Sequence, residues 1–323
     1  MISKITSFFL ITATLTIPLV SCQSQTNENN QNTNRNNKQI IYSTENKKPS
    51  TLPNGNNNAL DQGQTDDHST SGETQSIPWE ANENFKSAQT KNNSAVLLAA
   101  YRTVLKDPLP GEENNVHLAA KMLTGKVVMP GEIFSQNQQI GPYTLERGFE
   151  KGPTYIGSQV KTTIGGGVCK IASTLYNVAI LSNLPVVERH NHDMPVPYVP
   201  YGQDATVSYG LWDLKFKNNT DSPIMIWAEG IDNVLYIGFY GKAKPPKVKW
   251  NHEVLKSIPA PKKYKINKSL PAGAEKIELQ GMDGAVVKSW LSIENQDGSK
   301  AIKQMGTSSY SPLPFIIEKG PEK

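Results

Sequence analysis

The sequence predicts an α+β protein: a mixed helix and sheet domain, preceded by a disordered tether and followed by a small all-β module. Three observations carry this reading. Residues 23–60 contain twelve asparagines and almost no apolar periodicity, so that stretch cannot bury enough surface to offset the entropy of ordering it. From about residue 95 apolar residues recur at both helical and strand spacing. The run GKAKPP at 241–246 then breaks the folded part in two. The expected divisions are 1–22, a signal peptide; 23–94, the tether; 95–243, the α+β domain; and 247–323, the β module.

The N-terminal segment places Lys4 before an apolar stretch from Phe8 to Val20. This is export chemistry, too short and wrongly flanked for a membrane-spanning helix. Leu19, Val20, Ser21 and Cys22 resemble a bacterial lipoprotein processing site, which implies that Cys22 becomes the lipidated N-terminus and holds the protein to the membrane of the cell envelope. A secreted protein cleaved near Ser21 is the alternative. As a random coil the tether would span on the order of 40–50 Å, a reach that suits a target in the cell wall.

Within the α+β domain, 114–125 shows Val116, Ala119, Met122 and Leu123 at helical spacing, with Asn114 or Asn115 as the expected cap and Gly125 as the stop. Leu97–Leu105 is ambiguous between helix and strand. The stretch 170–183 is apolar on nearly every face and reads as a central buried helix. Beyond it the texture turns to β: PVVERH, DATVSYG, LWDLKFK with Trp212, Leu214 and Phe216 alternating against polar neighbours, then PIMIWAE and VLYIGFYG. In the C-terminal module, Lys276–Leu279, Val286–Ile293 and Phe315–Glu318 read as strands punctuated by glycines.

The chain has two cysteines. With Cys22 lipidated, Cys169 is the sole thiol, placed behind Gly165, Gly166 and Gly167 at the mouth of the central helix. Successive backbone N–H groups there can hold an oxyanion, and a helix N-terminus lowers a thiol's pKa. A nucleophile needs a base. His190 and His192 lie on one face of an extended segment, with Glu188 or Asp193 as the orienting carboxylate. A merely buried cysteine, or a zinc site formed by Cys169, His190 and His192, are alternatives, although no close-spaced metal motif is present. Neither phosphate-loop pattern occurs, so no cofactor is expected. His68, His117 and His252 receive no role, and Arg147, Arg189, Asp204 and Asp213 read as structural. The net charge of +4 is modest and scattered, and nothing resembles a nucleic-acid module.

Four ordered motifs, PGEIFSQNQQIGPYTLERGFEKGP, GGGVCKIASTLYNVAILSNL, VVERHNHDMPVPYVPYGQDATVSYG and DLKFKNNTDSPIMI, together resemble the VanW-like domain family named from vancomycin-resistance gene clusters. Residues 248–320 are similar to the five-glycine wall-associated module often found beside it. The resemblance implies a peptidoglycan L,D-transpeptidase that forms 3-3 cross-links on stem peptides, with Cys169 as nucleophile. The alternative is a noncatalytic wall-binding lipoprotein associated with glycopeptide resistance or envelope maintenance, its C-terminal module binding glycan. Lys170 stands where the family usually has glutamine, and FSQN at 134–137 where it usually has FSFN. The lysine would either support the thiolate by its charge or mark a divergent member.

Overall fold

The computed structural model describes residues 70–322, apart from 106, 107, 157 and 158, and the side chains of 155–159. All described residues belong to one compact unit, Gln62–Lys323. The signal segment, Cys22 and tether residues 23–69 lie outside them. Folded structure begins before residue 95, contrary to the compositional reading of 70–94 as tether. Strand β1 (Gly72–Glu73) and helix α1 (Glu83–Asn92) are present. Asn82 caps α1 by accepting from the Asn84 and Phe85 amides. Trp79 and Phe85 are buried, and it is these two rings that fix an otherwise polar stretch.

The ambiguous segment is strand β2 (Val96–Val104). It joins a five-stranded antiparallel sheet in the order β1-β2-β10-β9-β3, with β3 at Lys126–Val128, β9 at Ile224–Ile231 and β10 at Val234–Gly241. The pleat sorts its side chains to opposite faces. Ile224, Ile226, Ala228, Leu235, Ile237 and Phe239 face the main core. Met225, Trp227, Tyr236 and Tyr240 face the other side, where Trp79 and Phe85 cover them.

Two helices lie on the core face. Helix α2 (Glu112–Leu123) starts two residues earlier than its apolar spacing suggests, with Gly111 as N-cap. Asn115 does not cap it; its side chain turns inward to the glycine loop. Helix α4 (Cys169–Leu181) is buried along nearly its whole length. Between them come β4 (Ile133–Ser135), the short α3 (Gln136–Ile140) and the hairpin β5 (Lys151–Ile156) and β6 (Gln159–Ile164). After α4, only β7 (Val186–Glu188) and β8 (Lys215–Lys217) are strands in 185–217. The expected strand over DATVSYG is reduced to two isolated bridges, His190 with Thr206 and Ser208 with Trp212.

The C-terminal strands form two sheets. β11 (Lys247–Ile258), β14 (Gly284–Glu294) and β15 (Lys300–Tyr310) are antiparallel. β12 (Lys262–Ile266), β16 (Phe315–Lys319) and β13 (Glu275–Leu279) form the second. Leu291 of β14 joins the main core, and Trp250 of β11 packs 5.7 Å from Tyr176 of α4.

Candidate active site

Cys169 is the first residue of α4, so its thiol sits at the positive end of the helix. The loop before it needs glycines for steric reasons. Gly165 and Gly167 have φ of +77° and +101°, and a Cβ on Gly166 would lie 2.1 Å from the Gly152 carbonyl. Asn115 fixes the loop by donating to the Gly166 and Glu150 carbonyls at 2.8 and 2.9 Å. Gln136, from the FSQN stretch, donates to the Val168 carbonyl. The Gly165 and Gly166 N–H groups are committed to Glu150 and Thr163 carbonyls. Gly167 and Cys169 have no backbone acceptor among the described residues, and theirs are the N–H groups that can serve an oxyanion.

Helix α4 carries a polar stripe in its apolar surface, one residue per four. Cys169 Sγ lies 3.4 Å from Thr206 Oγ1 and accepts from the Val207 amide at 3.5 Å. Ser173 donates to the Ala205 carbonyl and accepts from its amide. Asn177 donates to the Gln203 carbonyl at 2.8 Å. Segment 203–207 is therefore held residue by residue against the helix, and Asp204 is fixed within it.

Asp204 is the carboxylate that orients the histidine. Its Oδ2 accepts from both the amide and the Nδ1 of His192 at 2.7 Å. Its Oδ1 accepts from Arg189 at 3.0 Å and from the Tyr310 hydroxyl at 2.5 Å. His192 lines the same cavity as Cys169 and interacts with it electrostatically. Burial by itself would raise the thiol's pKa, but interaction with His192 and its positive charge, helped by Thr206 and Val207, holds it below its ordinary value. Burial opposes charge on His192 as well. The bonds to Asp204 and the interaction with Cys169 outweigh it and push the ring up to about 9. Each group thus favours the charged form of the other.

Of the other expected partners only Asp193 reaches the thiol's cavity, and none bonds the thiol. His190 bonds Glu188 Oε1 at 3.2 Å and stacks on Trp212. Glu188 also takes the Lys215 ammonium and the Asp213 amide, so it orients nothing toward Cys169. Asp193 is exposed, and its carbonyl accepts from Ser311. Lys170 does not face the thiol. Its Nζ donates to the Asn233 carbonyl, near Glu112 and Glu113, and burial brings its pKa down to about 8. A lysine there answers local carboxylates rather than the nucleophile. Asp213 is structural, as read, bonding Ser135 and the amides of Asn137 and Leu214.

The thiol opens into a cavity of about 570 Å³. Tyr143, Tyr198, Tyr209 and Trp212 give it an aromatic wall, and Glu112 adds a carboxylate beside Gly167. Cys169, His192 and the three glycines all reach it. Among the described residues no group of three His, Cys, Asp or Glu is placed to hold a metal ion, and no helix is long and apolar enough to cross a membrane. Asp204 and Thr206 were missed by sequence reasoning. The available signal was Ser173 and Asn177, polar residues four and eight beyond Cys169 in an otherwise apolar helix.

Residues 111–240 match the protein family described as "VanW like protein". Over 143 residues the chain is 36% identical to "Uncharacterized protein YoaR" of Bacillus subtilis (strain 168), covering 44% of this chain and 47% of that protein. It is 33% identical over 138 residues to "Vancomycin B-type resistance protein VanW" of Enterococcus faecalis (strain ATCC 700802 / V583), covering 41% and 50%. The chain thus spans about half the length of these curated relatives. Among solved structures, "IgA1 Protease G5 domain structure" is 22% identical, covers 25% of this chain and 96% of that one, and has a TM-score of 0.16. "Crystal structure of HP0197-G5" is 19% identical, covers 24% and 100%, and has a TM-score of 0.14.

Proposed function

From the premise that residues 111–240 form a VanW-like domain, we propose that this chain is a cell-envelope protein acting on peptidoglycan, a cysteine L,D-transpeptidase that forms 3-3 cross-links. The observation that carries the reading is Cys169 at the start of α4, sharing its cavity with a buried His192 that Asp204 holds through Nδ1. A buried cysteine with only a packing role needs no such partner.

The Cys169 thiolate attacks the carbonyl of the third stem-peptide residue, forming an S–C bond while the carbonyl electrons move to oxygen. The N–H groups of Gly167 and Cys169 take that oxyanion. As the tetrahedral adduct collapses, the C–N bond to the terminal D-alanine breaks and His192 Nε2–H protonates the departing amine. The thioester remains. His192, now neutral, accepts a proton from an acceptor amine, which attacks the thioester and expels the thiolate. The new amide completes the cross-link. Water in place of the amine gives a carboxypeptidase side reaction.

The experiment is to incubate peptidoglycan sacculi with the folded chain and with Cys169→Ala, then compare muropeptides. The expected result is 3-3 dimers from the first alone. Equal yields from both would favour the noncatalytic wall-binding reading. Anchoring through Cys22 belongs to the same proposal, and mature protein without lipid mass on that residue would overturn it.

A further inference from the structure

Segment 189–204, which supplies His192 and Asp204, is gripped along one side by the C-terminal strands. Arg189 donates to Ser308 Oγ at 3.1 Å, Asn191 to the Ser309 carbonyl at 3.2 Å, and the Ser311 amide to the Asp193 carbonyl at 2.7 Å. Gln203 meets His252 of β11 at 2.9 Å, and Tyr201 donates to the Asp283 carbonyl. At the centre is Tyr310, the last residue of β15. Its hydroxyl donates to Asp204 Oδ1 at 2.5 Å and accepts from the Gly202 amide at 2.8 Å. That one hydroxyl ties the carboxylate to the backbone two residues before it. Asp204 therefore cannot turn away from His192 without breaking its bond to Tyr310, whose hydroxyl the Gly202 amide holds in place.

We infer that Tyr310 is a positioning residue for the Cys169, His192 and Asp204 relay, so that the C-terminal strands complete the site rather than merely adjoin it. This rests on the reading of Cys169 and His192 as the reacting pair. Arg189 and Tyr310 hold one oxygen of Asp204 and His192 holds the other. The charged and titratable groups facing the relay are Arg189, Tyr176 of α4 and Tyr310 around Asp204, with Tyr143 near Cys169. None of them except Tyr310 comes from the C-terminal strands.

The test is Tyr310→Phe in the full chain, read by the pH dependence of alkylation with iodoacetamide, in which the Cys169 thiolate forms an S–C bond and releases iodide. Tyr201→Phe is the control: it removes a hydroxyl bond across the same boundary without touching Asp204. Its ring lies 5.4 Å from that of Tyr310, and both variants keep the rings. At pH 6 the rate for Tyr310→Phe should fall about tenfold against wild type and converge with it above about pH 9.5, where the thiol is ionised regardless. Tyr201→Phe should follow wild type. Identical profiles for Tyr310→Phe and wild type would overturn the positioning role while leaving the transferase reading intact. An equal shift in both variants would also overturn it, reducing the contact to docking. Because alkylation needs no turnover, a shifted Tyr310→Phe profile with no cross-linking would count against the transferase alone.

Discussion

Replacing Asp204 by Asn removes one charge and leaves the side chain's shape, which isolates what the carboxylate does for the reacting pair. His192 stands at about 9 in a buried site against roughly 6.5 for a free imidazole, a difference worth about 3.4 kcal/mol at 1.36 kcal/mol per pKa step. Asp204 and the thiolate share that stabilisation, so loss of the carboxylate should remove about 2 kcal/mol and slow iodoacetamide alkylation at pH 6 roughly thirtyfold. Stability should respond with a definite sign. The raised His192 pKa contributes stability that is complete below about pH 6.5 and lost as pH rises through about 9. The depressed Asp204 pKa contributes above about pH 4 and is lost on acidification through its folded value. The gap between wild type and Asp204→Asn should therefore be widest near pH 5–6 and narrow toward pH 9. Arg189, left buried without its counter-charge, adds about 3 kcal/mol of destabilisation. Alkylation followed by intact mass across pH 5–10, with urea unfolding at each pH, measures both. An alkylation profile unchanged by Asp204→Asn would refute the reasoning.

Other perturbations separate neighbouring groups. His192→Gln should abolish low-pH alkylation, whereas His190→Gln, which breaks only the Glu188 and Trp212 contacts, should stay within about twofold of wild type; equal losses in both would contradict the assignment. Lys170→Gln should likewise leave the thiol's pH profile unmoved, because Nζ faces Asn233, and a rightward shift would return the lysine to the thiolate's surroundings. His252 is held neutral by burial, its pKa brought down to about 4. The folded chain should thus lose about 2 kcal/mol between pH 6.5 and 4, after allowance for the ring's partial exposure, as the unfolded chain takes up the proton. His252→Asn should flatten that acid limb in urea titrations, and an unaltered limb would show that another group causes it.

What could be read from the sequence was local. The continuous apolar runs at 224–228 and 234–240 need no partner to be seen, and they mark two central strands buried on both faces, which sort into the two cores. Three glycines before a cysteine pointed to strained backbone at a helix mouth, and φ values of +77° and +101° at Gly165 and Gly167 account for them. Asp204 was not legible, because its meeting with His192 closes only after Ser173 and Asn177 pin segment 203–205 to α4. Nothing within the eleven intervening residues encodes that contact. DATVSYG has strand-like composition, yet its polar atoms go to α4 and to a turn at Gly210, leaving bridges in place of a ladder. Helix α1 was taken for tether because only Phe85 of its ten residues is buried; the partner surface that fixes it comes from β9 and β10, about 140 residues later.

The central claim, covalent catalysis by Cys169, is tested most directly by intact mass spectrometry of the chain after brief exposure to tetrapeptide-bearing muropeptides. The account predicts an adduct equal to the donor less its terminal D-alanine, located on Cys169, removed by hydroxylamine as a thioester must be and absent from Cys169→Ala. Turnover of the donor with no such adduct under rapid acid quench, or an equal adduct on Cys169→Ala, would contradict it.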